Sequence, residues 1–287
     1  MKVLRTAFLL TALTLVLLTV GDAVGGANGI KFALGLAVAF NAIAYFFSDK
    51  IALLSSGAKP VSREQLPRLY EVMERLAGKA NLPVPKLYLI PEAAPNAFAT
   101  GRNPSHASVA VTEGLLELMN DDELEGVIAH ELSHVRNYDI LISSIAATLA
   151  GAITYAAKMG YWAQIFGYGG SRDNDREGGG FSALLMLILA PIAALLLQLG
   201  ISRQREYAAD QSGAQMVGQQ YGLISALEKL GAYNQRIPSN IPQTTSALCI
   251  VKPMFGSGSI FSSLFSTHPP LEDRIAALRE LTISRPG

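Results

Sequence analysis

Four apolar runs limit what this chain can fold into more than any other feature. They are Thr6 to Val20, Phe32 to Phe47, Ile140 to Ala157 and Phe181 to Ile201. A helix needs roughly 17–25 apolar residues to cross a bilayer. The fourth run clears that length, with Pro191 near its middle as a kink site, and the first two sit at the lower bound. Only 16% of the 287 residues are charged, against about 25% in a soluble domain, and the deficit is concentrated in these runs. The expectation is a mainly α-helical membrane protein with four transmembrane helices.

Lys2 and Arg5 ahead of the first run would also suit a cleaved signal peptide. Asp22, however, stands where a cleavage site needs small residues, and the second run follows after only the short glycine-rich loop Gly21 to Gly29. A membrane hairpin is the better reading. The third run has a soluble-core helix as its alternative; its length, its pairing with the fourth run and the interfacial aromatics Tyr161 and Trp162 favour the membrane. The chain then divides into an N-terminal transmembrane hairpin (1–50), a soluble part (51–139), a second hairpin (140–201) and a second soluble part (202–287). Lys2, Arg5, Lys50, Lys59, Arg63, Arg136, Arg203 and Arg205 gather on one side of this topology. Lys31, Lys158, Arg172 and Arg176 fall on the other, the last two among Asp173, Asp175 and Glu177. Positive residues favour the cytoplasmic side, which places both termini and both soluble parts in the cytoplasm. With 23 Lys and Arg against 23 Asp and Glu, nothing favours nucleic acid as a partner. The single Cys249 excludes an internal disulfide and reads as a small buried hydrophobe.

Between the two hairpins lies His130-Glu131-Leu132-Ser133-His134. On a helix, residues four apart share a face, so two imidazoles converge on one small cation, as Zn²⁺ requires. Glu131 then reaches water beside the metal without ligating it, the usual arrangement of a metallopeptidase with Glu as general base. Two solvated histidines are the bland alternative, and the context argues against it. Asn120 or Asp121 can cap the helix; Asp121, Asp122 and Glu123 suit its dipole; Leu124, Val127, Ile128 and Val135 give it an apolar stripe.

Upstream, Leu66, Leu69, Val72, Met73 and Leu76 recur at helical spacing, with Gly78 as a stop. Lys86 to Ile90, Asn96 to Thr100 and Ser108 to Thr112 read as strands. A small sheet beside the metal helix offers an edge to an extended peptide, and Asn96 is the candidate substrate-binding residue, with an ordinary loop role as its alternative. His106, in a polar loop, reads as a surface residue.

A catalytic zinc needs a third protein ligand. Asn137 and Ile140 occupy the positions where a neighbouring Gly and third His would stand, so the ligand is distant. Ser202-Arg-Gln-Arg-Glu206-Tyr-Ala-Ala-Asp210 directly follows the fourth run, and Glu206 and Asp210 share a helix face. One can ligate while the other supports a histidine from behind. If the metal helix continues into the third run, His134 lies about 9 Å before Ile140, and Glu206 about 8 Å beyond Ile201. An antiparallel membrane hairpin thus delivers both sets to the same side at nearly the same height.

These two segments, with Phe265-Ser-Thr-His268-Pro-Pro-Leu-Glu-Asp-Arg274, resemble the HtpX-type membrane zinc metalloproteases of the M48 peptidases. The resemblance spans essentially the whole chain. It implies a gluzincin-like α+β catalytic domain with a small β-sheet, one Zn²⁺ per chain held by His130, His134 and Glu206, Glu131 as catalytic base and Asp210 behind the ligands. It further implies a multi-pass endopeptidase of the inner cell membrane, active at the cytoplasmic face on unfolded or membrane protein substrates and linked to stress. His268 either donates to the developing oxyanion or fixes a loop, and Arg274 either braces that region or pairs with the acidic shell. The competing readings are a membrane scaffold with structural zinc, a metal-free holdase, and a peptidase dedicated to one substrate. The sequence leaves oligomeric state open.

Overall fold

The computed structural model describes residues 2–151, 202–234, 236, 239–242, 245, 247–251 and 269–283. The chain opens with α1, Lys2–Ser55, which breaks at Gly25 and Gly26 into two arms. Gly26 has φ +51° and ψ −138°, a conformation open only to glycine, and this turns the chain back on itself. Asn41 Nδ2 donates to Thr14 Oγ1 across the arms at 2.9 Å. The glycine-rich stretch expected as a loop is therefore helical on both sides of one break.

Helical geometry also lengthens the second arm beyond its most apolar residues, to Gly25–Ser55, 31 residues. Its Phe32 and Leu54 side chains are 75% and 78% exposed, an apolar surface that water does not tolerate over such a length. Among the described residues this is the one helix long and apolar enough to cross a bilayer; Thr6–Thr19 and Asp139–Gly151 are apolar but shorter. Of the four expected spans, the fourth lies outside the described residues, as does the third beyond Gly151.

After α1 come β1 (Lys59–Pro60), α2 (Pro67–Lys79), β2 (Lys86–Ile90), β3 (Ala97–Gly101), β4 (Ala107–Thr112) and α3 (Glu113–Leu118). The sheet order is β1-β2-β4-β3, with β2 and β4 parallel and the other pairs antiparallel. That order leaves β3 as an edge strand, and its register pairs Ala97 with Val111 and Ala99 with Val109. The two-residue β1 carried no alternating pattern and was not foreseen.

Helix α4, Asp121–Arg136, is the centre of the molecule, and twelve of its sixteen residues are buried. Asn120 starts it through a reciprocal capping box with Glu123. Its stripe of Leu124, Val127, Ile128, Leu132 and Val135 packs in one cluster with Val109 and Val111 of the sheet and with Leu223, Leu227 and Leu230. The last three belong to α7 (Tyr221–Asn234), which follows α6 (Arg203–Val217); α8 (Leu271–Glu280) adds Leu278 to the same cluster. One core thus joins segments on either side of the 140–201 stretch.

Helix α4 does not run straight into the third apolar run. Asn137 caps it, Tyr138 takes φ +60°, and α5 (Asp139–Gly151) starts afresh. The condition of a continuous helix, on which the height comparison rested, is not met: a residue in the left-handed region cannot propagate right-handed helix. Ile145 and Leu149 of α5 then pack against Leu13 and Ala44 of the two α1 arms.

Candidate active site

Helices α6 and α8 bring side chains to the histidines in the C-terminal half of α4. Helix α6 approaches it closely because residue 213 is glycine; a Cβ there would lie 3.0 Å from the His130 backbone nitrogen. That contact brings Glu206, seven residues earlier and so on the same face, against the two histidines. His130 Nε2 and His134 Nε2 stand 3.2 Å apart. Glu206 places Oε2 3.8 Å from the first and Oε1 3.6 Å from the second. One donor atom from each residue lies within 4.8 Å of the other two.

The other ring nitrogens are held from behind. His130 Nδ1 donates to Asp210 Oδ1 at 2.8 Å, and His134 Nδ1 faces Asp139 Oδ2 at 3.4 Å. Arg274 from α8, only 1% exposed, clamps Asp210 through Nε at 2.8 Å and Nη2 at 2.6 Å. Of the two roles left open for Arg274, the structure shows pairing with the acidic shell. Its Nη2 also sits 3.4 Å from His130 Nδ1, but two donors cannot bond each other, so the proton on Nδ1 belongs to Asp210. This fixes the tautomer in which Nε2 carries a lone pair toward Glu206.

The cluster fits a small divalent cation. Two ring nitrogens at 3.2 Å repel unless a positive charge lies between them and the carboxylate. A tetrahedral ion with bonds of 2.0–2.1 Å separates its ligand atoms by about 3.3 Å, close to the spacing here. Burial alone would lower the pKa of His134, yet hydrogen bonding to Asp139 and the charges of Glu206 and Glu131 outweigh it and push the group up to about 9. That negative field is what a cation neutralises. His130 is shifted the other way, chiefly by burial and also by the charge of Arg274, and stays neutral as a ligand must. Glu131 is 1% exposed; burial pushes it up to about 7, with the His134 charge opposing and Glu206 reinforcing. Its Oε1 is buried without a hydrogen-bond partner among the described residues.

Asn96, 2% exposed, precedes β3; its Nδ2 donates to the Val251 carbonyl at 2.8 Å and its Oδ1 accepts from the Ala97 backbone at 3.0 Å. It is a built position at the sheet edge rather than a solvated loop residue. His106 is exposed and bonds Asn103. Cys249 is buried, and burial raises its thiol pKa. His268 lies outside the described residues. Sequence reasoning missed Asp139 as the partner of His134, because the helix break at Tyr138 removes any spacing rule that would have linked them. The Ala247 to Ile250 segment lines the cavity with His130, Glu131, His134 and Glu206; it lies within Ile237 to Phe261, a stretch whose Ser, Pro and Gly content offers a cover for the cleft, with a flexible connection as the alternative.

A carboxylate and two imidazoles around one point, a second carboxyl alongside, and a sheet edge nearby define a metallopeptidase centre. The model of peptidase family M48 matches residues 62–282, and the chain belongs to that family. Among curated proteins it is 54% identical to the protease HtpX homolog of Desulfatibacillum aliphaticivorans, over 96% of this chain and 88% of that one. It is 47% identical to the protease HtpX homolog of Aquifex aeolicus, over 92% and 88% respectively. The chain is accordingly a metalloprotease of the HtpX type. Among solved structures, S. mikatae Ste24p superposes with a TM-score of 0.49 at 20% identity, over 96% of this chain and 64% of that one.

Proposed function

We propose that this protein is a zinc-dependent endopeptidase held in the cell membrane by several helices, its catalytic centre at the cytoplasmic face. Its substrates on this reading are unfolded or membrane proteins, cleaved in quality control under stress. The convergence of His130, His134 and Glu206 beside the buried Glu131 carries the proposal. The exposed apolar arm Gly25–Ser55 supports the membrane setting, and the Lys and Arg bias of the sequence supports the orientation.

On this reading His130, His134 and Glu206 hold the ion, with Asp210 and Asp139 orienting the two imidazoles. When bound, a zinc ion supplies a Lewis acid for a carbonyl oxygen and lowers the pKa of water in the site. Glu131 takes the proton from water as its oxygen attacks the scissile carbonyl carbon, then delivers that proton to the leaving amine nitrogen. A carboxyl group beside the reacting atoms can serve both transfers, as base in the first and acid in the second. His268 is the sequence's candidate for donating to the oxyanion. A structural zinc would need a fourth protein ligand; among the described residues the cluster has three.

Purified full-length protein is expected to contain one zinc and to cleave an unfolded substrate until a chelator removes the metal. Glu131→Gln is expected to keep the zinc and lose activity by about 10²–10⁴-fold. A metal-loaded Glu131→Gln variant that still cleaves at the original rate refutes the assignment.

A further inference from the structure

The cavity at the histidines measures about 20 Å³, room for a water-sized occupant beside the ligand atoms. The chain itself narrows it. Ala247, Leu248, Cys249 and Ile250 form one of its walls. The Ile250 backbone N–H donates to the Ala97 carbonyl at 2.9 Å, so this segment occupies a backbone acceptor on the open side of β3, the edge strand of the sheet. Asn96 Nδ2 holds the Val251 carbonyl at 2.8 Å, and Arg274 Nη1 holds the Ile250 carbonyl at 2.7 Å. An extended peptide laid along β3 toward Glu131 needs the same backbone group at Ala97 and the same space.

The segment also reaches the apolar helices. Ala247 packs with Ala146, Ala147 and Ala150 of α5, and Thr245 shares a hydrogen bond of 2.9 Å with Ser55 at the end of α1. Its position is therefore set by the same helices that would sit in lipid.

Resting on the peptidase reading above, we propose that Ala247–Val251 is a resident strap on the substrate edge, which an extended peptide must displace before it can be cut. The strap is uncharged and apolar, and the site around it carries Glu131, Glu206 and Asp139; the displacing peptide is accordingly apolar and free of acidic side chains near the cut.

Two variants of the full-length, zinc-loaded protein test this. Thr245→Val removes the tie to Ser55 and keeps the side-chain shape; Ile250→Pro removes the N–H that bonds Ala97. Cys249, the chain's one cysteine, reports strap release through its rate of labelling by a maleimide. Cleavage is followed with an uncharged fluorogenic peptide of Ala, Leu and Val. Thr245→Val is expected to raise both labelling and kcat/KM by about fivefold, the effect of one lost hydrogen bond, and Ile250→Pro by more. Faster labelling with unchanged or lower kcat/KM in Thr245→Val, its circular dichroism matching wild type, overturns the strap and leaves the peptidase standing. Unchanged labelling in both variants also overturns it. Absence of zinc-dependent cleavage in wild type and both variants overturns the peptidase reading and the strap together.

Discussion

The site's electrostatics are set by single residues behind the ligand set. Asp210 accepts from both His130 Nδ1 and Arg274, so the carboxylate fixes which nitrogen of His130 keeps its lone pair. An amide in that place would turn its oxygen to Arg274 and present N–H to an N–H. Asp210→Asn is therefore expected to weaken zinc binding by about 10–100-fold, read by competition with a chromophoric chelator. Unchanged affinity would show that the Asp210 contact does not govern the ring. Burial works against the Asp210 charge, but the charge and hydrogen bonds of Arg274 outweigh it and hold the carboxyl below its ordinary range. The shell is thus ionised at any pH where the protease would work.

At the scale of elements, the approach of α6 to α4 decides whether a third ligand arrives at all. Gly213 permits it, and its added Cβ would press on backbone atoms of Ala129 and His130, which cannot rotate away. Gly213→Val is expected to cost about 2 kcal/mol of stability and to lower zinc occupancy in the same preparation; a variant with native zinc affinity would separate the packing from the site. The start of α4 has its own pH signature. Burial would raise the pKa of Glu123, yet hydrogen bonds from Lys229, Ser225 and the Asn120 backbone outweigh it and leave it lowered. A lowered carboxyl contributes stability that is full above its ordinary value of 4.5 and fades as pH falls through the lower folded value. The difference in thermal midpoint between wild type and Glu123→Gln is expected to be constant above that value and to shrink on acidification. A constant difference down to strongly acid pH would contradict it.

For the whole molecule, the proposed orientation puts the soluble core on the cytoplasmic side. Cys249 is buried, so a cysteine placed at exposed Glu64 is the reactive one. In Glu64→Cys, a membrane-impermeant maleimide is expected to label permeabilised cells and to spare intact ones; labelling of intact cells would invert the topology. Much of this architecture was legible without coordinates. The i, i+4 histidines, the capping residue Asn120 and the apolar stripe of α4 are local patterns, and local patterns follow from helix geometry alone. Apolar length likewise marked the membrane-type arm, although its helix ends, Gly25 and Ser55, lie beyond the run that announced it. Spacing alone left open which of Glu206 and Asp210 would face the metal position and which would sit behind His130, because both share one helix face; the family resemblance assigned them. Only the packing of α6 on α4 at Gly213 and the clamp of Arg274 from α8 separate them. Nor could spacing reveal Asp139 beside His134, or Ile250 on the edge of β3. Those contacts join residues across a break in helix or across more than a hundred positions, where distance along the chain carries no information about distance in space.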